Sequence, residues 1–275
     1  MNTLPKLAVA LLAALAFSGA QAGTIADNYK GATGAKDSSG NVIDSLGGSN
    51  YEINSATVTR VGNVLKIVIS TNFATLAGTA ATTVNSFKLG YGDLFLSNVW
   101  SPAGSAASQY ITDDMSTSNT LWKYALSIDS ARTTSGAITD AAVSLYKLNA
   151  PTTTSSNAAT NAANILTSNE VLPSTIAASQ YRTGQADVLD TTSKSIADTN
   201  LNGKLNVSAG TVAFEINIAN NADLMSWESF AIHWGETCQN DVIEGITSVV
   251  PEPGSVALLG LGLFGLLAAR RRKMI

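Results

Sequence analysis

Apolar and polar residues alternate with a period of two along much of the chain. In Thr211 to Asn220, Val212, Phe214, Ile216 and Ile218 fall on one face and Ala213, Glu215, Asn217 and Ala219 on the other, the pattern of a half-buried strand. Trp122, Tyr124, Leu126 and Ile128 repeat it against Lys123, Ala125, Ser127 and Asp129, and Leu65, Ile67 and Ile69 repeat it with Lys66 turned outward. Further strands are expected at 51–60, 87–98, 142–148 and 229–234. No stretch of the body carries a helical period with charged outer positions. Turn-forming runs such as 37–41, 47–50 and 200–203 punctuate the strands. Many short strands without intervening helices predict an all-β domain over residues 23–249, an antiparallel two-sheet sandwich of jelly-roll type. The Thr-, Ser-, Asn- and Ala-rich segment 150–164 has no core-forming pattern and is expected to be a surface loop within that single domain.

Two apolar runs interrupt the alternation, one at each end. The first, Leu7 to Phe17, follows Lys6 and precedes Ala20-Gln21-Ala22. A basic start, a short apolar helix and small residues at the −3 and −1 positions make residues 1–22 a secretory signal peptide, with Ala20 and Ala22 fitting the peptidase and cleavage before Gly23. The second run, Val256 to Ala269, follows Pro251-Glu252-Pro253 and precedes Arg270-Arg271-Arg272-Lys273. A basic cluster directly after an apolar helix stops transfer and stays cytoplasmic, which places the body outside. The prolines keep the chain extended just before the expected short membrane helix.

Pro-Glu-Pro, a short apolar helix and an arginine cluster in that order at the C-terminus resemble the PEP-CTERM sorting signal, here residues 250–275. The resemblance implies export through the secretory translocon, removal of the leader by signal peptidase, and handling by exosortase, a membrane-embedded cysteine peptidase. It also implies that Pro251, Glu252 and Pro253 are recognised, that 256–269 is a transient membrane anchor, and that Arg270, Arg271 and Arg272 retain the tail. The stretch Trp234-Gly235-Glu236-Thr237-Cys238-Gln239-Asn240-Asp241-Val242-Ile243-Glu244-Gly245 is similar to one found upstream of the signal in many such proteins.

Charge sharpens the picture. The middle of the chain, from Gly23 to Val250, carries 11 Lys and Arg against 19 Asp and Glu, and only 13% of the 275 residues are charged. Such a body repels phosphate backbones, so nucleic acid is excluded as a partner. Asp198, Asn200 and Asn202, followed by Gly203, match the first half of a calcium loop, yet Ala209 stands where a bidentate Glu is expected; an Asn-Gly hairpin turn is the competing reading. The single histidine, His233, has no Gly-x-Ser-x-Gly partner, and zinc catalysis needs more than one histidine. It is expected to be a partly exposed strand residue opposite Phe230, Ile232 and Trp234. Cys238 is the only cysteine, which excludes an internal disulfide, and is expected to be buried near Trp234. Asp113 with Asp114, and Asp187 with Asp190, are nominal carboxylate pairs for glycoside hydrolysis. Trp122 and Trp234 belong to apolar stripes, whereas Trp100 and Trp227 sit in loop-like contexts and are candidates for stacking on a sugar.

Together these features predict a non-enzymatic, exported surface or extracellular-matrix protein with a structural or adhesive role in exopolysaccharide or biofilm. A carbohydrate-binding module, with calcium assisting, is the alternative, and a polysaccharide hydrolase a third.

Overall fold

The computed structural model describes residues 21–31, 39, 43–46, 48–128, 140–150, 156–177 and 180–249. The apolar run of the leader and the sorting signal from residue 250 lie outside them, so the expected signal helix and membrane helix do too. Among the described residues no helix is long and apolar enough to cross a membrane.

The alternating segments form strands. β2 (Ile53–Val61), β3 (Val64–Thr71), β6 (Leu94–Ser97), β7 (Tyr124–Ile128), β8 (Asp140–Leu148), β12 (Thr211–Asn217) and β13 (Ser229–Gly235) fall where the periodicity places them. They are joined by β1 (Gln21–Ala26), β11 (Ile196–Ser208) and β14 (Val242–Ser248). All ten make one antiparallel sheet in the order β1-β2-β3-β12-β11-β8-β7-β6-β13-β14. The expectation of an antiparallel all-β fold stands, but the main architecture is one long sheet, not two of comparable size. The reason lies in the register. Val58 pairs with Ile67, Ile67 with Phe214 and Phe214 with Leu205, and all four are fully buried. Leu145, Leu126 and Leu94 continue such a row across three more strands. A sheet this wide with one continuous apolar face buries that face by curling around it.

The curl brings the two edge strands together. A Cβ on Gly23 would meet Thr247 Oγ1 and lie 2.7 Å from the Ser248 carbonyl, and one on Gly245 would lie 2.7 Å from Ile25 Cγ2. β1 and β14 therefore face each other antiparallel across a seam that only glycine allows to be this narrow. Gln21 and Ala22, inside the expected leader, pair with Arg60 and Thr59 of β2.

A second, smaller layer covers part of the sheet's outer face. β9 (Ile165–Thr167) pairs with β10 (Ala186–Leu189). Ile165, Ala186 and Leu189, with Met115 and Trp122, bury Phe95, Ala125 and Ala231 on the back of β6, β7 and β13. Asp93 ties the layers, accepting the Ile128 N–H at 2.9 Å and the Leu189 N–H at 2.8 Å. The segment expected to be a surface loop contributes here: its second half forms helix α1 (Asn157–Ala162), capped by Ser156, and its Asn161 is fully buried. Asn161 accepts from the Trp122 N–H at 3.1 Å and donates to the Thr120 carbonyl at 2.8 Å. Side-chain polarity misled the pattern reading, because an amide fully engaged with backbone can be buried like an apolar group. Two further short helices, α2 (Ser168–Val171) and α3 (Ala222–Ser226), two 3-10 turns at Ala80–Thr82 and Ala106–Ser108, and the small hairpin of β4 (Thr83–Val84) with β5 (Phe87–Lys88) complete the described elements.

Replacing Gly23 by Val is expected to force β1 away from β14 and to cost about 1–3 kcal/mol, the usual penalty of overpacking. Hydrogen exchange should show faster opening of residues 21–26 with the centre of the sheet unchanged.

Candidate functional site

Polar chemistry concentrates around the β13–β14 hairpin. Its connection, Glu236 to Asp241, is buried at every position, with no residue more than 4% exposed. A connection inside a protein must find partners for its backbone. The Gly90 and Thr237 segments bond both ways: Gly90 N–H donates to Thr237 Oγ1 and Thr237 N–H to the Gly90 carbonyl, each at 3.0 Å. Arg182 N–H donates to the Cys238 carbonyl at 3.0 Å and Leu46 N–H to the Asn240 carbonyl at 2.8 Å. Asp241 accepts the Ile53 N–H at 2.7 Å and its own neighbour's, Val242, at 2.9 Å. Gly92 and Gly235 let these backbones touch. A Cβ on Gly92 would sit 2.7 Å from the Gly235 carbonyl, and one on Gly235 2.8 Å from that of Asp241.

Under the connection lies Arg182, with none of its surface exposed. Its guanidinium donates to three carbonyls from separate segments: Gly31 at 3.2 Å, Asn240 at 3.3 Å, and Asp44. Asp27, Asp44, Glu52, Glu236 and Asp241 are ranged about it and one another. Burial, with Asp241, Asp44 and Glu52 nearby, pushes the Asp27 carboxyl up to about 9. Burial and Asp44 push Asp241 up to about 7, and burial then Asp241 push Glu236 well above the carboxylate range. Arg182, with Lys30 near Asp44, cannot balance five carboxylates, so protons neutralise part of the set. Asp27, Glu52 and Asp241 each bring a ligand oxygen within 4.8 Å of the others, a spacing that a hard cation's oxygen shell can use.

The second cluster lies further along the hairpin, where His233 pairs with Glu244 across the strands. Nδ1 stands 2.7 Å from Glu244 Oε2 and Nε2 2.8 Å from the Ala186 carbonyl, and Trp100 Nε1 donates to Glu244 Oε1 at 2.8 Å. The carbonyl can only accept, so Nε2 carries a proton. A second proton lies between Nδ1 and the carboxylate, whichever of the two holds it. Neither ring nitrogen faces a hydroxyl, so His233 in this setting has no site from which to deprotonate a serine. Tyr29 OH donates to Asp113 Oδ2 at 2.8 Å, and Ala103 N–H to Asp113 Oδ1 at 2.6 Å. Burial and the Glu244 charge push Asp113 up to about 7. Tyr29, Asp113, Gln185, His233 and Glu244 border a cavity with room for about one water molecule.

The residues singled out from sequence separate in the fold. His233 is 1% exposed, not partly exposed, because the β9–β10 layer covers the strand face opposite Phe230, Ile232 and Trp234. Cys238 is buried in the same core as Trp234, as expected. Trp227 is not exposed: it packs against Tyr124 and Phe230 and donates its N–H to Asp223 at 3.1 Å. Trp100 is half-buried, set edge-on to Tyr110, with its N–H committed to Glu244. Asp198, Asn200 and Asn202 are exposed; Asp198 and Asn200 lie at a bulge inside β11, in place of the hairpin turn considered above, and Asn202 pairs regularly with Ser144 beyond it. Asp198 Oδ1 accepts the Asn200 N–H at 2.7 Å, Asn200 takes φ 58°, and Asn202 Oδ1 lies 3.2 Å from Ser144 Oγ. Asp113 turns into the protein while Asp114 closes the following turn by accepting from Ser116 and Thr117. Asp187 is buried in β10, whereas Asp190 accepts from Thr192 in the turn beyond it. Each pair therefore splits between two environments.

Sequence reasoning missed Arg182, Asp27, Glu52, Tyr29 and the His233–Glu244 pairing. The last was within reach, since a hairpin centred on the Glu236–Asp241 turn sets His233 opposite Glu244. A lone arginine in a stretch without periodicity carries no such signal.

A mostly antiparallel β body whose buried polar groups are arranged around the β13–β14 hairpin defines the class. No curated protein and no solved structure matches the chain. Residues 249–273 match the family model of the PEP-CTERM protein-sorting motif. The chain thus carries an exosortase sorting signal directly after its folded body, and that signal marks it for export to the cell surface or the extracellular space.

His233→Ala is expected to cost about 3–5 kcal/mol in chemical denaturation, because it strands a buried Glu244 carboxylate. Adding Glu244→Ala should recover part of that loss.

An acid whose folded pKa is raised holds its proton more tightly in the folded chain. Its stabilising contribution is full near the unfolded value of 3.8 and disappears as pH rises through the folded value. Asp241 and Asp113 lose theirs by about 7, and Asp27 by about 9. The melting temperature should therefore fall between pH 5 and pH 9, and Asp27→Asn should flatten the upper part of that slope.

Proposed function

We propose that the body is a non-enzymatic surface or matrix component with a structural or adhesive role, delivered by cleavage of its leader before Gly23 and of its tail by exosortase. The position of the sorting motif carries this reading: it begins at residue 249, where the last strand has just ended. The tail is read as a transient anchor over 256–269, with Pro251, Glu252 and Pro253 recognised outside and Arg270, Arg271 and Arg272 held inside. The structural role draws support from the polar clusters. The His233 cluster spends its donors and acceptors on its own members and on backbone, and the cavity it borders takes about a water, far less than a sugar ring requires. The sugar-stacking alternative has lost its platform at Trp227 and keeps only a half-buried Trp100.

Mass spectrometry of the natural protein tests the reading. The expected termini are Gly23 at the start and a residue between Pro251 and Gly254 at the end. Replacing Pro251, Glu252 and Pro253 together by Ala should leave the Arg270–Lys273 cluster attached and the protein in the membrane fraction. Recovery of the unaltered chain from cytosol with its arginines intact would overturn the reading.

A further inference from the structure

In an antiparallel sheet the strand ends gather at two poles. At one of them β1 begins and β14 ends, and there too lie the β2–β3 turn, the end of β6, the end of β12 and the start of β13. The large apolar side chains left exposed among the described residues are Val61 (48%), Val64 (37%), Val99 (56%) and Ile246 (38%). All four belong to this pole. Val61 and Val64 flank the β2–β3 turn, Val99 stands two residues beyond β6, and Ile246 is two residues from the end of β14. The opposite pole carries the β11–β12 turn at Ala209 and Gly210.

The chain outside the fold also leaves from here. Val249 is 1% exposed and donates its N–H to the Glu228 carbonyl at 2.8 Å, so the folded body holds the chain up to that residue. Six residues, 250–255, separate it from the apolar run at Val256. Even fully extended they reach at most about 20 Å. A body on so short a leash keeps this pole, and no other surface, toward any bilayer that the tail enters.

We propose that the pole bearing Val61, Val64 and Val99 is a membrane-docking surface, seated on the lipid bilayer that holds the tail. Its valines enter the boundary between headgroups and acyl chains, as the apolar side of an interfacial segment does. Apolar exposure drives the contact; the same pole also carries Arg60, Lys123, Lys147 and Lys194 against Asp223 and Glu228. The proposal rests on the reading of residues 256–269 as an anchor.

The test uses the full chain with its tail, reconstituted in phosphatidylcholine vesicles. Val61→Cys, Val99→Cys and, at the far pole, Ala209→Cys each carry a thiol-reactive fluorophore, while Cys238 stays unlabelled because it is buried. Lipid-borne quenchers should dim the labels at 61 and 99 by about twofold or more relative to 209, given the few ångströms of insertion typical of interfacial segments. Equal quenching at all three positions, or at none, in chain that floats with the vesicles would overturn docking and leave the anchor reading intact. Chain that fails to float would overturn the anchor reading, and docking with it.

Discussion

A single buried guanidinium organises this fold. Arg182 joins the carbonyls of Gly31, Asp44 and Asn240, which belong to the segment after β1, the approach to β2, and the β13–β14 connection. Those are the two ends of the sheet order. Without a donor able to reach all three, the connection would have to expose its carbonyls to solvent, and β14 would lose the support that keeps it beside β1. A guanidinium suits the task because its donors fan out in one plane and it keeps its charge when buried. The surrounding carboxylates help it do so: Asp241 and Asp44 oppose the effect of burial on Arg182. They do not bond to it directly among the described contacts. Their excess over Arg182 and Lys30 is met by protons, so the centre of the molecule is held together by a charge balance that depends on pH.

The hairpin that Arg182 supports has a second attachment on its outer face. His233 and Glu244 face each other across β13 and β14, and each reaches beyond the hairpin, His233 to Ala186 in β10 and Glu244 to Trp100. The pair thereby fastens the smaller β9–β10 layer and the loop after β6 onto the main sheet. Trp122 and Phe95 lie within about 6 Å of the imidazole and cover two of its sides. In that setting a histidine and a glutamate serve as an adhesive between layers. The same two residue types in an open cleft, with a free ring nitrogen, would invite a catalytic interpretation.

Strand existence was legible wherever one face was apolar and the other polar, as in β3, β7 and β12. It was lost where polar residues stand at interior or bulged positions of a strand. β14 reads as a mixture because its Glu244 is an interior residue, and β11 reads as a turn because the Asp198–Leu201 bulge places Asn and Gly within a strand. Sheet number was not legible at all. Alternation says which face is buried, and two packed sheets bury their faces in the same pattern as one sheet curled on itself. The sorting tail was readable because its information is linear: three short elements whose order matters more than their fold. The clusters around Arg182 and His233 join residues as far apart as Gly31 and Asn240, and only the topology makes them neighbours.

That topology also relates the two ends at which cleavage is proposed. Gln21 and Ala22 pair with β2, and Gly23 lies against Thr247 and Ser248, immediately before the residue at which the sorting motif starts. A peptidase cutting before Gly23 needs the residues on both sides extended and unpaired, a condition the completed sheet denies it. Such a cut therefore belongs to the chain in transit, before β1 has zipped onto β2. The tail poses the opposite case. Its motif begins just after the last described strand, so the described ladder is complete without any residue of Pro251 to Pro253. If both cuts are made as proposed, where each cleavage point stands relative to the seam sets their order: leader first, then closure of the sheet, then removal of the tail from a body already folded.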